Sequence, residues 1–231
     1  MLQHIGIIMD GNRRWAKSHK MELYQGHNSG AEKFGHVCDW CLHAGIPYLT
    51  VYAFSTENWK RSDKEISHLF RLMEDYFIKE KVRCAEKGIR VSIIGDRSRL
   101  SPHNANIISE MENATAHCTT LRAQIALSYG GRDEILRAAK KFATEVAQGH
   151  KVPESLTEAI FETYLDTAGI PDVNLVIRTG GAENRRLSNF LPWQTVYAEL
   201  FFSDLLWPEF TREEFDAAIE YYRRIKRKLG K

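Results

Sequence analysis

His4-Ile-Gly-Ile-Ile-Met-Asp-Gly-Asn-Arg-Arg-Trp-Ala-Lys17 is the stretch on which the reading of this chain turns. Ile5 to Met9 is a short apolar run, β-branched for the most part, with the length of a buried strand. Asp10-Gly11-Asn12 breaks it with turn residues, and Arg13, Arg14 and Lys17 follow at once. A carboxylate, a permissive backbone and several cations thus meet at one strand end, where open α/β sheets bind ligands. Backbone N–H groups near Gly11 can face phosphate oxygens, Arg14 can add a forked contact, and Asp10 can hold a divalent metal. A solvated βα turn accounts for the same residues, and this stretch alone does not choose between the two.

Working outward, the same strand-to-loop pattern returns. Gly26 to Gly30 reads as a turn and helix start, with Asn28 or Ser29 as the cap. Apolar positions from Phe34 to Leu42 then share one helical face until Gly45 and Pro47. Strands are expected at Tyr48 to Phe54, Ile89 to Ile94, Arg122 to Leu127, Val173 to Ile177 and Tyr197 to Phe201. Helices are expected at Lys64 to Lys87, Pro102 to His117, Asp133 to Ala147, Pro153 to Leu165 and Arg212 to Leu229. Alternation through the whole length predicts one α/β domain, residues 1–231, with a central, mainly parallel six-stranded sheet flanked by helices.

Composition narrows the class. A length of 231 residues suits one large domain, and a net charge of +2 gives no bulk attraction for nucleic acid. No secretory leader is expected, and no apolar run reaches the length of a membrane span. Cys38-Asp-Trp-Cys41 has redox or zinc spacing but lies within a helical pattern without a second pair, so buried thiols in a reducing cytoplasm are the expectation. The cations from Arg223 to Lys231 suit a solvated helix end.

Four polar strand-end loops should converge: Asp10 to Arg14, Ser55 to Arg61, Ser128 to Arg132 and Arg178 to Ser188. Together they bring Arg14, Arg61, Arg132, Arg178, Arg185 and Arg186, a set suited to phosphate or diphosphate. Asp10, Glu57 and Glu199 are the candidate metal or acid–base carboxylates. His27, at the expected helix start, can donate to a phosphate or serve only the packing. Phosphate-loop, GxGxxG and GxSxG patterns are absent. Ile66, Leu69, Phe70, Met73 and Phe77 form a stripe that fits either a hydrocarbon tunnel or ordinary core packing.

His4 to Lys17, Gly26-His27, Tyr52-Ala-Phe-Ser-Thr-Glu-Asn-Trp59 with Arg61, Tyr129-Gly-Gly-Arg132, Val176-Ile-Arg-Thr-Gly-Gly181, and Leu187-Ser-Asn-Phe-Leu-Pro-Trp-Gln194 with Tyr197-Ala-Glu199 occur in that order across nearly the whole chain. In this the chain resembles the cis-prenyltransferases, or undecaprenyl diphosphate synthases. The resemblance implies a cytoplasmic homodimer, working at the membrane face through its product. It implies Mg2+-dependent condensation of isopentenyl diphosphate with an allylic diphosphate to a Z-prenyl diphosphate, foremost undecaprenyl diphosphate. By that likeness Asp10 is the central catalytic and metal-linked carboxylate, and Asn58 the second catalytic residue. Gly11, Asn12, Arg13, Arg14, His27 and Arg61 line the allylic diphosphate site. Phe54, Ser55, Glu57 and Trp59 shape the junction between substrates. Arg178, Arg186 and Ser188 hold isopentenyl diphosphate, and Glu199 assists the metal.

Four positions depart from the family pattern. Leu23 stands where an arginine is usual, Ser128 where an asparagine is, and Lys228-Leu229-Gly230 where Arg-x-Gly is. The loop from Arg178 to Arg186 is two residues longer than the common form. These departures keep open a short-chain or irregular synthase that couples or cyclises dimethylallyl units. A non-catalytic partner subunit is the alternative of another class, opposed by Asp10, Arg14, Arg178, Arg186 and Ser188.

Overall fold

A computed structural model describes residues 1–181 and 184–225. The elements run β1 (His4–Ile8), α1 (Asn12–Ser18), α2 (Leu23–Ala44), β2 (Tyr48–Ser55), α3 (Asp63–Glu86), β3 (Ile89–Ile94), α4 (Pro102–Thr115), β4 (Leu121–Tyr129), α5 (Gly131–Ala147), α6 (Glu158–Glu162), β5 (Leu175–Arg178), β6 (Glu199–Phe202) and α7 (Arg212–Arg224). One six-stranded sheet has the order β3-β4-β2-β1-β5-β6, and every pairing is parallel. The expected α/β class, strand number and strand positions are therefore observed, within a residue or two at most ends.

The apolar runs follow from a sheet covered on both faces. β1 is buried throughout. Ile5 and Ile7 join Leu175, Ile177, Ala123 and Ile125 beneath α2, α3, α4 and α7. Ile8 and Val176, one residue out of phase, join Ala126, Phe190 and Leu191 on the opposite face. Because β2 leaves β1 on one side and β5 flanks it on the other, the chain reverses its order of addition at β1. The crevice outside the carboxyl ends of β1 and β5 is the ligand position such a sheet provides.

Three expectations change. α1 was expected only as a turn, yet a helix begins directly after Gly11. α2 begins at Leu23 rather than near Asn28, closed by reciprocal bonds between Glu22 and Gln25. The stretch from Pro153 to Leu165 holds a single 3-10 turn at Pro153–Ser155 and the short α6 instead of one helix. Cys38 and Cys41 are buried in α2 and unpaired, and burial pushes both thiols up, which fits the packing role. The family's C-terminal position, here Lys228 to Gly230, lies outside the described residues.

His4 anchors the amino-terminal edge of the sheet. Its Nδ1–H donates to the Pro171 carbonyl at 2.7 Å, and its Nε2 lies 2.8 Å from the Thr50 hydroxyl. Burial lowers its pKa to about 4, with the Pro171 bond opposing in part. The unfolded chain takes up this proton near pH 6.5, the folded one only near pH 4, so stability falls as pH drops through that window. Thermal melts of wild type and His4→Gln should therefore diverge at pH 7 and converge toward pH 4. A difference in Tm that stays constant from pH 7 to 4 would contradict this.

Candidate active site

Asp10 lies two residues past β1 and is fastened before its side chain is considered. Its carbonyl accepts from the Trp207 N–H at 3.0 Å and the Thr179 hydroxyl at 2.8 Å. Its carboxylate is then shared by two arginines. Oδ1 accepts from Arg14 Nη2 at 3.1 Å, and Oδ2 from Arg178 Nη2 at 2.9 Å. Arg14 is placed by one turn of α1 and also donates to the Gly180 carbonyl at 2.6 Å. Arg178 ends β5 opposite Ile8 and is only 6 % exposed. It donates onward to Ser188 Oγ at 2.7 Å and to the Arg186 carbonyl. Gly180 is required here: its φ is 109°, and a Cβ would sit 2.7 Å from Arg14 Nη2 and 2.9 Å from Asp10 Cβ.

A pair of glycines aligns the neighbouring helices. A Cβ on Gly26 would lie 2.2 Å from the Asn12 carbonyl, and one on Gly30 2.5 Å from Asn12 Oδ1. α1 and α2 can meet this closely only because both positions lack side chains. Asn12 and His27 consequently border the same cleft. His27 lies within α2, so it presents its ring rather than the free N–H groups of a helix start, contrary to the sequence expectation. Its Nε2 is buried without a hydrogen bond among the described residues. Burial, then Arg61, lowers its pKa to about 4 against the opposing pull of Glu65, so the ring is neutral at pH 7. Glu65 also accepts from Arg61 Nη1 at 2.9 Å, which sets the direction of that guanidinium.

Of the expected junction residues, Phe54 and Ser55 end β2, and Glu57 and Trp59 lie with Asn58 on the 3-10 turn at Thr56–Lys60 that follows. The Asn58 carbonyl oxygen of the side chain accepts from the Ser55 N–H at 3.0 Å, closing the turn and leaving its amide N–H groups for the cleft. Partial burial pushes the Glu57 carboxyl up. Bonds from its own N–H, Ser55, Asn189 and Thr56 outweigh this and hold it below the usual range. Trp59 meets Phe54 edge-on with centroids 5.1 Å apart and stacks on Phe70 at 5.6 Å. Its Nε1–H donates to Ser128 Oγ at 2.9 Å. Ser128 has φ 52°, a left-handed conformation that suits the asparagine usual at this position; the serine retains the turn and supplies the acceptor for Trp59.

Two polar clefts flank Asp10, and both share Met9, Asn12 and His27 with an apolar cavity of about 130 Å³ behind them. Leu69, Phe70, Met73 and Phe77 of the α3 stripe line that cavity, while Ile66 packs against the core beside it. The stripe therefore packs the core and walls the cavity at once. His68 is not among the residues that line it, and its ring lies 5.3 Å from that of Tyr24. Leu23 does line the polar cleft, with Arg13, Arg14, Lys17 and Arg61, and is 41 % exposed. At the position where the family usually has a cation, this cleft has an apolar side chain.

Not every expected residue converges. Glu199 opens β6 opposite Leu175, while Arg178 lies at the other end of β5. Three residues of parallel strand separate those levels by about 10 Å, so Glu199 does not meet Asp10 within one chain. The glycines after Tyr129 do not line the clefts around Asp10. They receive the loop from Ser188 to Pro192, whose Asn189 donates to Glu57. Asn189, Thr179, Trp207 and Glu65 hold the site together and were not singled out from sequence. Two signals exist in the sequence: Thr179 lies within the Val176 to Gly181 motif, and Asn189 directly follows Ser188 in another. Among the described residues there is no group of three or more His, Cys, Asp or Glu fit to hold a metal. A lone carboxylate beside an anion site is a donor set suited to Mg2+, which keeps water and substrate phosphate as its other ligands.

Comparison with known proteins agrees with this geometry. The family model described as "Putative undecaprenyl diphosphate synthase" matches residues 8–230. An isoprenyl transferase of Aquifex aeolicus is 45 % identical over 229 residues, covering 99 % of this chain and 96 % of that protein. The crystal structure of lavandulyl diphosphate synthase from Lavandula x intermedia, in complex with dimethylallyl diphosphate, superposes with a TM-score of 0.95 at 35 % identity, covering 99 % of this chain and 98 % of that one. That of a "probable undecaprenyl diphosphate synthase" from Campylobacter jejuni gives 0.82 at 35 % identity, covering 100 % and 99 %. The chain belongs to the undecaprenyl diphosphate synthase family of cis-prenyltransferases, and it is a prenyl-transferring enzyme.

Proposed function

We propose that this enzyme condenses isopentenyl diphosphate with an allylic diphosphate to a Z-prenyl polymer diphosphate, undecaprenyl diphosphate being the product. The observation that carries the reading is the position of Asp10, held between Arg14 and Arg178 beside clefts that share residues with an apolar cavity. Gly11, Asn12, Arg13, Arg14 and Arg61 bind the allylic diphosphate, and its hydrocarbon enters the cavity along α3. Neutral His27 donates from its ring without adding a charge. Arg178, Arg186 and Ser188, which are linked to one another, receive isopentenyl diphosphate. Phe54 and Trp59 keep water from the junction, where an allylic cation develops. Asp10 is the residue that would hold Mg2+, and the ion would supply charge neutralisation for the leaving diphosphate.

A second reading has a specific observation behind it. Leu23 weakens the cationic lining of the allylic cleft, and the fold superposes closely on a synthase whose structure contains dimethylallyl diphosphate. A short or irregular product is the alternative. The extended loop after Gly181 belongs to the same question, although Ala182 and Glu183 lie outside the described residues. Mass spectrometry of products from isopentenyl diphosphate with dimethylallyl, geranyl or farnesyl diphosphate, and from dimethylallyl diphosphate alone, decides between them. A long polyprenyl ladder from the farnesyl primer is expected. A ten- or fifteen-carbon product, or self-coupling of dimethylallyl diphosphate, would overturn the undecaprenyl assignment in favour of the second reading.

A homodimer belongs to this proposal, as does work at the cytoplasmic membrane face. β6 is an edge strand, and Val196 and Tyr197 just before it are 67 % and 84 % exposed, a liability that a second subunit would cover. No helix among the described residues is long and apolar enough to cross a membrane. Sedimentation should give twice the chain mass of 26.6 kDa at micromolar concentration. A monomer that turns over at the full rate would refute the dimer.

A further inference from the structure

The loop after β5 is built at some conformational cost. Ser188, Asn189 and Leu191 have φ values of 49°, 67° and 47°, and none is glycine. Non-glycine residues stay in the left-handed region only where their surroundings determine them from several directions. Asparagine tolerates it best, and Asn189 is the residue that the neighbours grip.

Asn189 bonds to two other strand-end loops at once. Its side-chain oxygen accepts from the Arg132 N–H at 2.9 Å, and its main-chain oxygen from the Gly131 N–H at 2.8 Å. These are the first two N–H groups of α5, whose N-cap, Gly130, offers no side chain. The cap therefore comes from a loop more than fifty residues away in sequence. Its amide Nδ2–H donates to Glu57 Oε1 at 3.1 Å, in the turn after β2. The two partners fix the amide's orientation, since Arg132 N–H needs an acceptor and the carboxylate a donor.

The glycines of Tyr129-Gly-Gly-Arg132 follow from this contact. A Cβ on Gly130 would lie 2.5 Å from Thr56 Oγ1 and 3.0 Å from Asn189 Nδ2. One on Gly131 would lie 1.9 Å from Pro192 Cδ and 3.1 Å from the Asn189 carbonyl. The glycine pair is thus a seat for the Ser188–Pro192 loop.

We propose that Asn189 is a positioning residue, which locks the loop carrying Ser188 against Glu57 and the start of α5 and so sets the isopentenyl site relative to the substrate junction. The inference rests on the assignment of Ser188, Arg178 and Arg186 to isopentenyl diphosphate. Ser188 precedes Asn189 directly and accepts from Arg178, so freedom at Asn189 passes first to that side of the site.

Steady-state kinetics of Asn189→Ala, Asn189→Asp and Ser188→Ala, with each substrate varied in turn, test it. Asn189→Asp keeps the left-handed preference and the acceptor for Arg132 but sets a carboxylate against Glu57. Both Asn189 variants should raise KM for isopentenyl diphosphate roughly tenfold, the scale of one hydrogen bond to a charged group, with the allylic KM little changed. Ser188→Ala should raise the same constant. If Ser188→Ala does so and Asn189→Asp does not, the positioning role is wrong. A loss shared equally between both KM values, alongside a fallen Tm, would likewise reduce Asn189 to a structural residue. If Ser188→Ala itself changes neither KM, the error lies in the site assignment beneath.

Discussion

The ion pair between Asp10 and Arg178 is the constraint around which the rest is arranged. It joins the ends of two adjacent parallel strands, β1 and β5, where the sheet reverses its order of addition. A guanidinium as buried as Arg178 needs a charged partner, and leaving one such group unmatched typically costs about 3–5 kcal/mol. Asp10 supplies the partner. It is in turn held by its own main chain, so the pair is positioned by the fold and not by side-chain chance. Gly180 is the backbone's concession to that pair, and Gly26 and Gly30 are the concession that brings Asn12 and His27 beside it.

From this centre the site divides by chemistry. Toward α1 and α2 lie cations with Leu23 among them. Toward β5 lie Arg178, Arg186 and Ser188, linked to one another. Behind both, the aromatic contact of Phe54, Trp59 and Phe70 stands beside the apolar cavity. Prenyl transfer asks for this division, because anions must be held firmly while a carbocation is kept from water.

Much of this was legible in the chain. Short β-branched runs closed by glycine and polar residues mark the strands and their places along the chain, since a two-faced parallel sheet leaves a continuous apolar signature. The convergence of Asp10, Arg14, Arg61 and Arg178 followed from parallelism alone. What was hidden depends on register and close approach. Glu199 reads as a neighbour of the other carboxylates until the pairing with Leu175 puts it at the far end of its strand. Ser128 to Arg132 reads as one of four converging polar strand-end loops until Pro192 and Asn189 are seen against its two glycines. α1 is hidden in the sequence because Gly11, left-handed at its N-cap, is a turn signal and a helix start together. His27 was misplaced because the cap of α2 is a glutamate, a residue less expected there than Asn28 or Ser29.

The measurement that bears most directly on the central claim is the single-turnover rate of Asp10→Asn with both substrates saturating. The amide keeps the volume and one oxygen acceptor, and Arg178 keeps Ser188 and the Arg186 carbonyl, so the Tm should fall with the lost charge while the variant still folds and binds. Without the carboxylate the rate should fall roughly 10²–10⁴-fold, as for loss of a group acting at the reacting atoms. A rate within a few-fold of wild type would show that the chemistry is organised around some other residue.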